Sequence, residues 1–329
     1  MRIGLALPQY DYSVHGESPL RFDTIVEYAR LAEANGADSI WLSDHLFLDI
    51  AKYGGPPDPA GCFDPLVTLA ALARVVPRVR LGTLVLLEAL RPAAVLAKSL
   101  STLDQISDGR LDIGLGAGWY EPEYKAIGME MPPPKVRLDR LIDAIEVVKG
   151  LLPGGPFTYD GEHHRAFDAH NLPPAVQQPR PRVMIGGKGD RLLRIVAERA
   201  DGWNTCWAWT FDAYRERADV LDRACEKVGR DPATVWRTLG LYALVGENEA
   251  DLERRFELLR ETSPKGVLDG TTLAEFRTGR LVGTVAQVQE QIKGWEALGV
   301  DTIILGAGVV PFQVAARDDV AMLLQICKS

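Results

Sequence analysis

Arg182-Val183-Met184-Ile185-Gly186-Gly187-Lys188-Gly189-Asp190-Arg191-Leu192-Leu193 is the stretch whose reading decides the fold. The apolar run 183–185 reads as a short buried strand, broken at Gly186-Gly187-Lys188-Gly189. Immediately beyond, Leu192, Leu193, Val196 and Ala197 fall on one face at helical spacing. Three glycines at such a strand-to-helix junction let successive backbone N–H groups turn inward. The helix start adds partial positive charge and Lys188 a mobile cation, so the junction predicts an anion site of the phosphate kind. A plain tight turn with capping glycines has the same local pattern. Neither the Walker spacing nor a G-x-G-x-x-G follows, so the kind of phosphate stays open.

Working outward, the strand-then-helix unit repeats. Short apolar runs at 3–7, 37–42, 79–87, 111–115, 200–204, 235–245 and 300–305 join 183–185 as strands. Helical periodicity predicts helices over 20–35, 64–76, 92–107, 136–152, 212–229, 284–298 and 312–326, besides the one carrying Leu192 to Ala197, with Gly36 and Gly299 at expected stops. Continuous apolar strands alternating with amphipathic helices mean a parallel sheet buried on both faces. Eight units predict a (β/α)8 TIM barrel, a single domain over 1–329. Its predicted excursions are a Gly/Pro-rich loop 46–63, a Pro/Gly/His-rich segment 153–181 lying over the barrel, and a mostly helical insertion 249–279 after strand 7.

Composition limits the partners. The 329 residues are 47% hydrophobic and 25% charged with net charge −8, and no basic cluster is interleaved with aromatics. Nucleic acid and anionic membrane are therefore not expected partners. Cys62, Cys206, Cys225 and Cys327 lie far apart without a C-x-x-C, which predicts reduced structural thiols in a cytoplasmic protein. Met1-Arg2-Ile3-Gly4-Leu5 opens a strand at once, without signal-peptide character, and no apolar run reaches membrane-spanning length.

In such a barrel the carboxyl ends of the strands share one mouth, where chemistry resides. Those ends supply Gln9, Asp44, His45, Leu84 to Glu88, Gly116 to Tyr120, Gly186 to Gly189, Trp203, Asn204 and Gly306 to Gly308. The set lacks the His/Asp/Glu cluster a metal centre needs, and no G-x-S-x-G is present. What remains is a pocket rich in glycine and tryptophan with a phosphate anchor, which suits a planar ring on a ribityl phosphate. His45 is the one good proton-transfer candidate; a loop histidine capping a helix is the alternative. Asp44 and His45 point to opposite faces if the strand continues. His163 and His164 are expected in solvent, and Trp41 and Trp236 in the core. Trp119, Trp203, Trp207 and Trp209 either line the pocket or pack under loops.

Taken in order, several motifs resemble the luciferase-like monooxygenase superfamily, the bacterial-luciferase-like flavin and deazaflavin oxidoreductases, and in particular its actinobacterial branch using coenzyme F420. They are Ala37-Asp38-Ser39-Ile40-Trp41-Leu42-Ser43-Asp44-His45, Arg78-Val79-Arg80-Leu81-Gly82-Thr83, and Leu103-Asp104-Gln105-Ile106-Ser107-Asp108-Gly109-Arg110. Gly114-Leu115-Gly116-Ala117-Gly118-Trp119, Gly186-Gly187, Ala200-Asp201-Gly202-Trp203 and Leu281-Val282-Gly283-Thr284 complete the set. The resemblance implies a homodimeric barrel, with a ring stacked at a strand-three bulge near Thr83, Leu84 and Val85. A non-proline cis peptide is expected at or beside Leu84-Val85. It further implies that Asp44, Gly116, Ala117, Gly118 and the phosphate loop Gly186, Gly187, Lys188, Gly189 hold the cofactor, and that His45 lies beside the ring. Gln9, Trp119, Trp203 and Trp207 would form the pocket for a small-molecule substrate. Sugar-phosphate dehydrogenases of this group carry an acid just after the strand-four glycines; here Trp119 stands there, with Glu121 and Glu123 following. The implied activity is hydride transfer between F420 and a small organic substrate. An FMN-dependent monooxygenase is the alternative, and a non-catalytic flavin- or deazaflavin-binding protein a second one.

Overall fold

The strand-to-helix unit recurs eight times in the computed structural model, which describes residues 1–328. The strands are β1 (Arg2–Ala6), β2 (Ser39–Leu42), β3 (Arg80–Thr83), β4 (Leu111–Gly116), β5 (Val183–Gly186), β6 (Gly202–Trp207), β7 (Trp236–Gly246) and β8 (Thr302–Gly306). The helices that follow them in turn are α1 (Phe22–Ala34), α2 (Pro65–Ala73), α3 (Ala93–Ile106), α4 (Pro134–Leu151), α5 (Asp190–Arg199), α6 (Phe211–Lys227), α7 (Val285–Ala297) and α8 (Arg317–Lys328). All pairings around the ring are parallel, from β1 through β8, and β8 pairs back to β1. The sheet is therefore a closed (β/α)8 barrel.

The apolar runs are continuous because each strand is covered twice. Every residue of β7 is buried, for example. Outward-facing Ile3, Leu5, Ile40, Ile113 and Ile303 pack with the apolar helix faces. Inward-facing Ala6, Trp41, Met184, Trp236 and Ile304 fill the barrel interior. Trp41 is fully buried, 6.3 Å from Trp236, and its Nε1 donates to Ser39 Oγ at 2.8 Å. Gly4 and Gly82 make room for that indole: a Cβ on either would lie 2.5 Å or 2.1 Å from it.

Local signals set several boundaries. Asp64 caps α2 by accepting from the Leu66 and Val67 amides at 2.9 Å, with Pro65 as the first helical residue. The predicted strand 79–87 divides: after Thr83 the chain bulges through Leu84 and Val85 and rejoins β4 at Leu86–Leu87. The Leu84–Val85 peptide is cis, as the resemblance implies, and so is Cys206–Trp207. Strand six runs three residues past its expected end and carries Trp207 to the mouth, in register with Leu241 of β7.

The insertion after β7 holds helices Glu249–Thr262 and Leu273–Arg277, and a short strand, Leu281–Thr284, returns along the far end of β7. Segment 153–181 does not lie over the barrel, contrary to expectation. Its hairpin, Phe157–Asp160 with Arg165–Ala169, and the chain beyond it are clipped to the outside of α3 and α4. Tyr159 donates to Asp143 at 2.7 Å, Asn171 to the Ala97 and Leu151 carbonyls, and the Val176 and Gln177 amides to Asp104. Paired, these polar groups hold a segment whose composition reads only as loop. The mouth is spanned instead by the 46–63 loop and residues 263–271, which meet backbone to backbone at Gly54 and Gly266. Both glycines have positive φ, and a Cβ on Gly266 would lie 2.2 Å from the Gly54 carbonyl oxygen. No helix among the described residues is long and apolar enough to cross a membrane.

Candidate active site

At the carboxyl ends of the strands lies one large cavity of about 930 Å³. The strand-three bulge (Leu84, Val85) forms one wall, and Gly116 to Trp119 after β4 and Gly186 to Gly189 after β5 stand beside it. Cys206 and Trp207 of β6, Tyr242 of β7 and Phe312 beyond β8 close the opposite side. Glycine is what brings β4 and β5 against one side chain: a Cβ on Gly114, Gly116 or Gly186 would lie 2.8 Å, 2.6 Å or 3.0 Å from a Val85 methyl.

Two carboxylates organise the end of β2. Glu123 is 1% exposed, and its Oε1 lies 3.0 Å from His45 Nδ1 while its Oε2 accepts from the Leu46 amide at 3.1 Å. An ionised carboxylate only accepts, so it places a proton on Nδ1 and leaves His45 Nε2, which has no hydrogen-bond partner among the described residues, for the cavity. Trp119 and Tyr120 meet the imidazole edge-on at 5.8 Å and 6.1 Å and fix its plane. Asp44 turns the other way. It pairs with Arg91 at 2.7 Å and accepts from the Leu87 amide at 2.9 Å, which ties β2 to the segment after the bulge. Burial raises the Asp44 carboxyl, and the Arg91 guanidinium and the Leu87 amide act against that rise.

At the predicted anion site, Gly186, Gly187, Lys188 and Gly189 line the cavity. Helix α5 starts at Gly189 with no side-chain cap, so its first amides have no side-chain acceptor. Lys188 is exposed, and its ammonium lies 5.6 Å from the centre of the Trp209 ring. The neighbouring cations are committed elsewhere: Arg191 to Asp139, and Arg137 to the carbonyls of Gly118 and Pro132. An uncapped helix start, a glycine loop and an exposed lysine at the wall of one large cavity fit a planar ring with a phosphate tail. Gly116, Ala117 and Gly118, Gly186 to Gly189 and the Leu84–Val85 bulge would hold such a group.

Most residues expected at the site line the cavity: Asp44, His45, Leu84, Val85, Gly116, Ala117, Gly118, Trp119, Gly186, Gly187, Lys188, Gly189 and Trp207. Three do not. Gln9 is fully buried and spends its amide on the Ser43 amide and hydroxyl and on the Ser43 and Phe63 carbonyls. Thr83 is fully buried, with its hydroxyl bonded to the backbone of Gly114. Trp203 points outward, stacks on Tyr214 of α6 and donates to the Gly187 carbonyl at 2.7 Å, so it braces the anion loop from behind. Trp209 packs against Tyr214 as well. His164 is not a solvent histidine either: its Nε2 lies 3.1 Å from buried Glu88, which also accepts from Arg140.

Sequence reading named Glu123 without giving it a role and did not single out Tyr242, which also lines the cavity. Glu123 is the third residue of a short helix, Glu121–Ala126, that folds back toward the end of β2. The Glu-x-Glu after the strand-four glycines was the only signal for it. Among the described residues no group of three or more His, Cys, Asp or Glu side chains could hold a metal ion.

The chain is thus a closed parallel barrel with one large cavity and a His45–Glu123 pair at the carboxyl ends of its strands. Residues 1–302 match the luciferase-like monooxygenase family, and the chain belongs to it. An uncharacterized protein of Mycobacterium tuberculosis is 31% identical over 188 residues, 54% of this chain and 65% of that protein. An F420-dependent glucose-6-phosphate dehydrogenase of Kineococcus radiotolerans is 30% identical over 228 residues, 69% of this chain and 65% of that enzyme. The matched stretch thus spans just under two thirds of the length of these relatives. Among solved structures, an F420-dependent secondary alcohol dehydrogenase in complex with an F420–acetone adduct superposes with a TM-score of 0.77. It is 19% identical and covers 100% of this chain and 99% of its own.

Proposed function

We propose that the protein is an oxidoreductase that moves a hydride between deazaflavin coenzyme F420 and a small organic substrate. The observation that carries this reading is the His45–Glu123 pair on the cavity wall that also contains the Leu84–Val85 bulge. The deazaflavin, when bound, supplies or takes up the hydride. The chain supplies the rest. Glu123 holds the proton on Nδ1, so neutral His45 offers a lone pair at Nε2 to a substrate hydroxyl and imidazolium offers a proton there. Glu123 is a positioning residue in this scheme and His45 the catalytic one. The uncapped start of α5 and Lys188 bind the phosphate. Loop 46–63 and residues 263–271, joined at Gly54 and Gly266, exclude water from the transfer. The similarity to a curated F420-dependent dehydrogenase supports the deazaflavin.

A second reading is an FMN-dependent monooxygenase, favoured by the chemistry for which the family is named. Parallel titration of the purified protein with F420 and FMN, followed by tryptophan quenching and dialysis, separates the two. Tighter binding of F420 by tenfold or more is expected. Preference for FMN would replace the first reading with the second, and binding of neither would remove both.

A further inference from the structure

At the opposite end of the barrel a second cavity, of about 380 Å³, opens among the amino ends of β5 to β8. Four charged side chains line it: Arg180 and Arg182 before β5, Asp201 before β6 and Asp301 before β8. Two of them neutralise each other. Arg180 donates to both oxygens of Asp201, and Asp201 Oδ2 also accepts from the Val183 amide at 2.7 Å. Thr234 on the same wall spends its hydroxyl on the Asp231 carbonyl at 2.7 Å. Arg182 and Asp301 remain, one of each sign.

Arg182 is held in place without being neutralised. Its guanidinium carbon lies 3.9 Å from the centre of the Trp236 ring, which fixes the plane of the group. Its Nη2 reaches Asp112 only at 3.4 Å, while Arg80 takes the same carboxylate through bonds of 2.7 Å and 2.8 Å. Nε and Nη1 have no hydrogen-bond partner among the described residues, and they keep open surface on a side chain that is 36% exposed. Burial lowers the pKa of Arg182, Asp112 opposes that, and Arg2 and Arg80 repel the same charge. Asp301 is placed in the converse way. Its Oδ2 accepts from the Arg237 amide at 2.7 Å, its Oδ1 has no partner among the described residues, and the Arg237 guanidinium pairs with Asp222 instead. No ion pair joins Arg182 to Asp301, so opposite charges face one small cavity apart from each other.

We infer that this cavity binds a small α-amino acid as its zwitterion, with the carboxylate on Arg182 and the ammonium on Asp301. A simple anion would gain Arg182 and meet the charge of Asp301, and a simple cation would meet the reverse. A molecule carrying both charges gains from each wall through charge-assisted hydrogen bonds. The remaining wall is Pro179, Ala233 and Val235, which suits a short aliphatic side chain. An aromatic side chain finds no stacking partner, because the guanidinium of Arg182 covers the Trp236 face. The site lies at the amino ends of the strands and His45 at their carboxyl ends, so the inference does not rest on the proposed redox function.

Calorimetric titration of the full chain with L-valine, 3-methylbutanoate and 2-methylpropylamine separates the two charges, since the second probe lacks valine's ammonium and the third its carboxylate. Valine is expected to bind at least about tenfold more tightly than either. Arg182→Met should weaken valine by about tenfold or more. Asp301→Asn keeps an acceptor for the Arg237 amide, so it should preserve Tm while weakening valine about tenfold, and it keeps the test open if Arg182→Met does not fold. Gly189→Asp, in the large cavity, should bind valine as wild type does. Equal binding of valine and 3-methylbutanoate would make this a plain anion site, and equal binding of valine and the amine a plain cation site. Absence of valine binding at millimolar concentration would leave both charges to water. Each of these results would overturn the inference, as would undiminished valine binding by folded Arg182→Met or by Asp301→Asn, or its loss in Gly189→Asp. The titration uses no cofactor, so failure of the chain to bind F420 would remove the proposed function and leave the valine result standing.

Discussion

Exchange of one oxygen for one amide at Glu123 should silence the site without emptying it. In Glu123→Gln, the remaining carbonyl oxygen keeps the bond from the Leu46 amide, which has no alternative acceptor on that side chain. The new NH2 then faces His45 Nδ1 and donates to it, so the imidazole must carry its proton on Nε2. Neutral His45 then presents a donor to the cavity where it had presented a lone pair. A positioned base is worth about 10²–10⁴ in rate. The barrier should therefore rise by about 3–5 kcal/mol, at about 1.4 kcal/mol per decade. Stability changes less. Both charge-assisted hydrogen bonds, each worth about 1.5–3 kcal/mol, are weakened rather than deleted, so Tm should fall by a few degrees. Turnover is followed through the absorbance of oxidised deazaflavin with a panel of small alcohols, aldehydes and enones, and cofactor affinity by fluorescence titration. F420 affinity should stay within a few-fold. Because the two residues act as one unit, adding Glu123→Gln to His45→Ala should cost almost nothing further. Full turnover by Glu123→Gln, or independent, multiplicative losses in the double variant, would refute the assigned proton positions.

His45→Ala should bind F420 within a few-fold of wild type and turn over about 10²–10⁴ more slowly, with His45→Asn nearly as slow; normal turnover would make His45 a pocket wall. At the phosphate loop Gly189 is the position to change, since nothing lies within 4 Å of its would-be Cβ, whereas Gly187 has φ +142° and would press on Leu192. Gly189→Asp should weaken F420 about tenfold, roughly 1.4 kcal/mol, through like-charge repulsion at the helix start, and unchanged affinity in titration would move the phosphate elsewhere. Gly116→Ala places a methyl 2.6 Å from Val85 and should cost about 1–3 kcal/mol in denaturant melts while displacing the bulge, so an unchanged melt would show that the wall yields freely. Asp251 is held down to about 2, first by the hydrogen bond from Arg255 and also by the Glu247 amide and Arg254. A depressed carboxyl contributes stability above its unfolded value and loses it as pH falls through the folded one. Asp251→Asn should therefore lower stability at pH 7 and match wild type near pH 2, as read by urea melts at both pH values.

The barrel itself was legible in the chain because its determinants are local. Each strand is an apolar run only a few residues long, and each helix shows its own periodicity. Gly186-Gly187-Lys188-Gly189 announces its turn through backbone properties that need no distant partner. His45 was legible for the same reason, as a titratable residue at the end of a strand. What the sequence could not settle depends on side chains that meet across the fold. Glu123 reads as an exposed acid in a loop until the short helix after β4 folds back on the end of β2, 78 positions away. Thr83, Gln9 and Trp203 stand at strand ends as a pocket residue would. Alternation along a strand does not say which of them is absorbed by a neighbouring backbone group or by the helix behind it. The course of 153–181 rests on Asp104, Asp143 and Asn171, whose partners lie on other elements. Such partnerships are a property of three-dimensional packing, and no one-dimensional pattern carries them.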